Sequence, residues 1–177
     1  DLSPLPVADS TSGSHRHPEL LHEFFERAAA RWPDHVAIDV PPGFGRPERR
    51  TVTYAELNQR ADALASVLRQ RASGECVIAI QLPRTSEHLY VAQLAVLKAG
   101  AAYACIDPAF PDAQAEEILR DSNAIALLTD RAGAERAEAC GLDPGLTIDV
   151  VDWCRQGGLP FASGSTPAWV TPQDLAY

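Results

Sequence analysis

Between residues 75 and 151, solid apolar runs alternate with helical stripes, and this alternation restricts the chain more than any other feature of it. Segments 76–82, 101–106, 124–129 and 146–151 read as strands, while 86–99, 112–121 and 132–140 read as helices. A strand that is apolar at successive positions needs cover on both faces, and a parallel sheet flanked by helices supplies it. The predicted fold class is therefore α/β, a mostly parallel sheet covered by helices on both faces. With 177 residues, 46% of them hydrophobic, one domain or subdomain can bury a sizeable core.

Upstream of residue 75 the pattern differs. Residues 1–17 are rich in Ser, Pro and His without periodicity and read as a linker. From Pro18, a residue suited to a first helical turn, Leu21, Phe24, Phe25, Ala28 and Trp32 recur at helical spacing, and Pro33 closes the element. The spacing predicts an amphipathic helix with that apolar face buried. Val36–Val40 and Arg50–Thr53 are short strands expected to pair across a polar loop. Thr53-Tyr54-Ala55-Glu56 has the T-x-x-E form of a capping box, and Leu57, Ala61, Leu64, Ala65 and Leu68 continue a helical stripe behind it. Residues 155–174, with three Gly and three Pro, read as a surface connection.

Charge and composition exclude several classes of function. Twenty-four acidic side chains against 15 basic ones give a net charge of -9, and Lys98 is the only lysine. No basic run is dense enough to track a nucleic acid. The longest nearly uninterrupted apolar run, Leu89 to Leu97, contains Gln93 and is about half a membrane span. The chain therefore reads as soluble and cytoplasmic. Cys76, Cys105, Cys140 and Cys154 show no C-x-x-C pairing, and three of them lie in or beside apolar segments, as reduced structural thiols do. With no Met, Asp1 is not a translated start, and the chain is expected to be an excerpt of something longer.

Several patterns imitate sites. Gly43-Phe44-Gly45-Arg46-Pro47-Glu48 lacks the third Gly of a dinucleotide fingerprint and holds a Pro where the helix should begin, so it reads as a loop. His15 and His17 form a lone H-x-H, and His22, His35 and His88 have no ligand spacing, so no metal is assigned. No Ser, His and Asp arrangement can be assembled. Lys98, in the last turn of a helix and two residues before Gly100, is favourably placed against the negative helix end. Asp107, before Pro108, starts a turn at the carboxyl end of a strand, where open α/β sheets often bind ligands. Tyr103 reads as core.

The run Leu97-Lys98-Ala99-Gly100-Ala101-Ala102-Tyr103-Ala104-Cys105-Ile106-Asp107-Pro108 resembles the second core motif of amino-acid adenylation domains of non-ribosomal peptide synthetases. Val52-Thr53-Tyr54-Ala55-Glu56-Leu57, about forty residues earlier, resembles that family's L-T-Y-x-E-L block, and Leu21-His22-Glu23-Phe24-Phe25 resembles its L-H-x-x-F opening. Phe110-Pro111-Asp112, Leu119-Arg120-Asp121-Ser122 and Leu127-Leu128-Thr129 add to the likeness, which covers residues 18–177. Ala104-Cys105 departs from it, since V-P is usual there. Ser163-Gly164-Ser165-Thr166 imitates the family's phosphate loop, T-S-G-S/T-T-G-x-P-K-G, but Pro167-Ala168-Trp169 follows it. Asp174-Leu175-Ala176-Tyr177 resembles the string that precedes that loop.

The resemblance implies the first subdomain of the large N-terminal lobe of an adenylate-forming enzyme. Such an enzyme uses ATP and Mg²⁺ to convert an amino acid to an aminoacyl adenylate and loads it on the phosphopantetheine of a carrier protein. Its implied partners are the remainder of the adenylation domain, the carrier domain and an upstream condensation domain. Self-association of the fragment is expected through surface the remainder would cover. The phosphate loop and the other reacting groups would lie downstream. No catalytic, cofactor-binding or metal residue is therefore assigned, and Thr53, Tyr54, Glu56, Leu57, Leu97, Lys98, Ala99, Gly100, Tyr103, Asp107 and Pro108 are read as structural members of the motifs. The units expected are a linker at 1–17, an αβ subdomain at 18–154 and a connection at 155–177. Alternatives are an acyl-CoA or aryl-acid ligase of the same superfamily, or a non-catalytic docking module.

Overall fold

A computed structural model describes residues 20–43, 47–156 and 171. The order of elements is α1 (Leu21–Arg31), β1 (Val36–Val40), β2 (Arg50–Thr53), α2 (Tyr54–Leu68), β3 (Val77–Gln81), α3 (Glu87–Lys98), β4 (Ala102–Cys105), α4 (Asp112–Asp121), β5 (Leu127–Thr129), α5 (Arg131–Ala139), a 3-10 turn (Pro144–Leu146), β6 (Thr147–Asp149) and α6 (Val150–Arg155). The strands β4-β3-β5-β6 form a parallel sheet in that spatial order, and β1 and β2 form a separate antiparallel pair.

Alternation along each strand explains why the runs are apolar throughout. Ile78 and Ile80 of β3 and Leu128 of β5 enter a core with α2, α3 and α6, while Ala79 and Leu127 enter a second core with α4 and the end of α5. Both faces are thus covered by helices, as the apolar runs require.

The three crossover helices α3, α4 and α5 end in the same way. In α3, Gly100 has φ +82°, its N–H donates to the Leu97 carbonyl at 3.0 Å, and the Ala101 N–H donates to the Val96 carbonyl at 3.1 Å. This pair of bonds is a Schellman closure, and it needs a residue that accepts the left-handed region. Asn123 after α4 and Gly141 after α5 make the equivalent pairs.

The predicted elements differ from the observed ones at two places. The expected strand 146–151 ends at Asp149, whose carboxylate accepts the Asp152 N–H at 2.9 Å and caps α6. Val150 and Val151 look like strand residues but form its first turn, because the cap satisfies an amide that the helix start leaves open. The second difference is the rotation of α1. Leu21, Phe24 and Trp32 are 53%, 55% and 45% exposed, whereas His22 and Ala29 are buried and Phe25 packs on the core. The inward face runs 22-25-26-29, and the next section gives its cause. Of the thiols, all four are free. Cys76 and Cys154 are half-buried but Cys105 and Cys140 are exposed, so only the first two act as small hydrophobes. Pro18 and the 155–174 connection, apart from its first two residues and Thr171, lie outside the described residues.

Candidate functional site

The block 53–57 is a joint between α1, the β1–β2 pair and α2. Thr53 Oγ1 accepts the Glu56 N–H at 3.2 Å, and Glu56 Oε2 accepts the Thr53 N–H at 2.9 Å, so both halves of the capping box form. The Tyr54 ring stacks on Phe25 with centroids 5.5 Å apart, and its N–H donates to the His35 carbonyl at 3.0 Å. Leu57 is buried in the core beneath.

Lys98 lies deeper still, 1% exposed at the meeting of α1, α2 and α3. Its Nζ donates to Glu26 Oε1 at 2.5 Å and to Asp62 Oδ1 at 2.7 Å. Asn58 Nδ2 donates to the other Asp62 oxygen at 3.0 Å, and Arg69 Nη2 donates to the Lys98 carbonyl at 3.0 Å. Thus Arg69 meets the carbonyl end of α3 while the lysine ammonium ties three helices together. A buried ammonium must be paired, and supplying Glu26 requires α1 to turn its 22-25-26-29 face inward, leaving Phe24 and Trp32 outside. His22 shares this junction: burial pushes its imidazole below the ordinary value, Lys98 and Arg69 act in the same direction, and Glu26 and Glu23 oppose it.

At the carboxyl end of the sheet, Asp107 is exposed and closes its own turn, with Oδ1 accepting the Ala109 N–H at 2.9 Å and its carbonyl accepting the Phe110 N–H at 3.0 Å. The following loop is held by Arg136 of α5, which donates to the Pro108 carbonyl at 2.9 Å, to the Phe110 carbonyl and to Asp112. Tyr103 is half-buried at the margin of the core, Leu97 is half-buried, and Ala99 is fully enclosed.

Sequence reasoning missed two charged clusters. Arg136 carries no local signal, because its partners are 24 to 28 residues earlier. Glu87, 3% exposed at the start of α3, lies 2.8 Å from Arg50 Nη2 and 3.9 Å from His88 Nε2. The Arg50 contact is one of charge, with no directional hydrogen bond to that buried oxygen. Burial pushes His88 below its ordinary value, against Glu87, while Arg50, Arg60 and Arg155 lower it further.

Lys98 is engaged by two carboxylates, Asp107 by its own turn, and no three His, Cys, Asp or Glu side chains converge on a cation position among the described residues. Burial also raises the Cys76 and Cys154 thiols, leaving them poor nucleophiles. A cleft of about 310 Å³ opens between α4 and α5, floored by Ala126 and Leu127 and flanked by Leu119, Ala137 and Leu142.

A parallel sheet with Schellman-closed crossovers, a capped α2 and a buried lysine between three helices defines a scaffold, and its overall fold has counterparts among solved structures. The sequence profile of the AMP-binding enzyme family matches residues 25–177, and the chain belongs to that family. Its relatives include tyrocidine synthase 3 of Brevibacillus parabrevis, 44% identical over 158 residues, which is 89% of this chain and 2% of that protein. Phosphinothricin tripeptide synthetase PhsC of Streptomyces viridochromogenes is 39% identical over 174 residues, 97% of this chain and 15% of that one. Among solved structures, the Klebsiella oxytoca NpsA N-terminal subdomain in complex with 3-hydroxybenzoyl-AMSN superimposes with a TM-score of 0.65 at 25% identity, over 84% of this chain and 34% of that one. The chain therefore spans a small part of the length of the relatives it matches. Among the described residues no helix is long and apolar enough to cross a membrane.

Proposed function

We propose that residues 18–154 are the first αβ subdomain in the N-terminal lobe of an enzyme that activates an amino acid with ATP to an aminoacyl adenylate and loads it on a carrier-bound phosphopantetheine. On this reading residues 1–17 link to an upstream condensation domain, and 155–177 lead toward the phosphate loop. The enzyme works in the cytoplasm, with Mg²⁺ as its metal.

One observation carries the reading, the family match across residues 25–177. The identities of 44% and 39% with two peptide synthetases favour an amino acid as substrate. What the described residues contribute is support. Three helices are locked by Lys98, and the sheet's carboxyl edge is shaped by the Asp107 and Arg136 contacts. Positioning of this kind is a large part of the barrier reduction in adenylate chemistry, provided the reacting groups are supplied from elsewhere. We therefore infer that the 177-residue chain alone is inactive.

The test is amino-acid-dependent exchange of pyrophosphate into ATP, measured on the chain as it stands and on the same chain continued through its downstream reading frame. Exchange is expected only from the longer protein, and turnover by the 177-residue chain overturns the reading. A second reading, an aryl-acid ligase, is favoured by the ligand named with the NpsA subdomain, 3-hydroxybenzoyl-AMSN. Including hydroxybenzoates beside the amino acids in the same assay separates the two.

A further inference from the structure

Gln81 ends β3 with a side chain that the scaffold does not use. Alternation along the strand puts it on the face of Ala79, whose side chain enters the core shared with α4, while Ile78 and Ile80 take the opposite face. Gln81 is 6% exposed, and among the described residues its carboxamide has no hydrogen-bond partner. The Thr129 hydroxyl meets the Gln81 backbone carbonyl and leaves the side chain unanswered. A buried amide without a partner is costly and calls for one. The space it opens onto is the cleft between α4 and α5, which runs from Gln81 at the carboxyl end of β3 to Leu146 just before β6.

We propose that this cleft is a binding site for a small uncharged molecule that carries an amide at one end of an apolar body. Its volume of about 310 Å³ stands at the lower end of those that hold small molecules. Leu119, Ala137 and Leu142 above a floor of Ala126 and Leu127 suit a hydrocarbon body. The Gln81 carboxamide both donates and accepts, so an amide group that does the same makes two hydrogen bonds with it side by side, whereas a carboxylate only accepts. Charge argues in the same direction. Arg136 at the rim is spent on the Pro108 and Phe110 carbonyls and on Asp112, and the other charged side chains there, Glu116 and Arg120, are of opposite sign. The rim therefore selects neither an anion nor a cation. A molecule of this size fills the depth of the cleft and leaves its rim free for further cover.

The experiment titrates hexanamide, 2-heptanone and hexanoate into the 177-residue chain, labelled with ¹⁵N-glutamine and ¹³C-methyl leucine and read by NMR. The Gln81 side-chain amide is assigned through Gln81→Leu, and Gln156, whose side chain donates to Asp152 at the end of α6, is the control. Hexanamide is expected to move the Gln81 resonances saturably and to leave Gln156 in place. It should bind about tenfold more tightly than 2-heptanone, which keeps the shape and the carbonyl but has no N–H to donate, and more tightly than hexanoate. In Gln81→Leu, with the Leu142 methyl groups as reporter, the preference for the amide over the ketone should vanish. Ala137→Phe fills the cleft without touching Gln81 and should abolish binding while Gln156 keeps its resonance. Absence of a saturable shift, equal affinity for amide and ketone, or a preference that survives Gln81→Leu overturns the proposal. A Gln81 resonance that moves with protein concentration and not with hexanamide gives the cleft to a second copy and overturns it as well.

Discussion

Lys98 shows how one side chain can set the attitude of a helix. Its ammonium is 2% exposed while Glu26 and Asp62 are 41% and 28% exposed, so the pair of carboxylates forms the lid of a charge the interior cannot hold alone. Lys98→Ala removes the cation from both acids, leaving Asp62 only its Asn58 bond, and opens a cavity, and a loss of about 2–4 kcal/mol is expected from urea unfolding. Lys98→Met keeps the volume and should lose less. Histidines 22 and 88 give stability a pH dependence with a definite sign. Both are held below the ordinary value by burial, so the unfolded chain binds more protons than the folded one once the pH falls under about 6.5. Stability should therefore be complete above that value and decline as the pH drops through the lowered pKa values. Urea midpoints at pH 7.5 and 5.5 check this, and His88→Gln should flatten the slope. In the sequence, Lys98 was visible as the only lysine, but its partners lie 72 and 36 residues away, beyond any local pattern. Lys98 does stand in the last turn of α3, but its ammonium is held by Glu26 and Asp62, and Arg69 is the side chain that meets the Lys98 carbonyl.

Among the elements, α5 depends on an exclusion. A Cβ added at Gly133 would come 1.9 Å from Thr129 Oγ1, and that hydroxyl is fully buried and donates to the Gln81 carbonyl at 2.9 Å. The bond joins β5 to β3. Gly133→Ala must displace α5 or break that bond, and a loss of about 1–3 kcal/mol is expected in thermal or urea unfolding. Helices and strands between residues 77 and 139 were legible because alternation and capping are written in adjacent residues. The rotation of α1 was not, because Leu21, Phe24 and Trp32 have the hydrophobicity of a buried stripe while the face actually used includes His22 and Glu26.

At the scale of the molecule, surface remains open for cover among the described residues. The cleft between α4 and α5 presents Leu119, Ala137 and Leu142 over a floor of Ala126 and Leu127, and within the described sheet β4 pairs on one side only. On the proposed reading the remainder of the adenylation domain closes such surface, and the chain alone should associate with itself. Sedimentation velocity over a range of concentrations is expected to show reversible dimers or larger species. A single monomeric boundary at high concentration contradicts this. The family was legible from the 97–108 and 52–57 blocks, since these segments encode their own local geometry. They do so through a Schellman turn at Gly100, an Asx turn at Asp107 and a capping box at Thr53.

Taken alone, the order of amino acids determined the α/β class, the alternation of strands and helices from residue 77 to 139, and the family. All of these are signalled by patterns among residues a few positions apart, although the strand pairings themselves span 20 to 48 residues. Tertiary structure alone decided that the single lysine is buried between three helices, that α1 turns Phe24 and Trp32 outward, and that Arg136 clasps the loop after β4. The reason is physical: a buried charge is satisfied by whichever group the fold brings within about 3 Å, and the cost of leaving it unsatisfied exceeds the gain from burying one more ring.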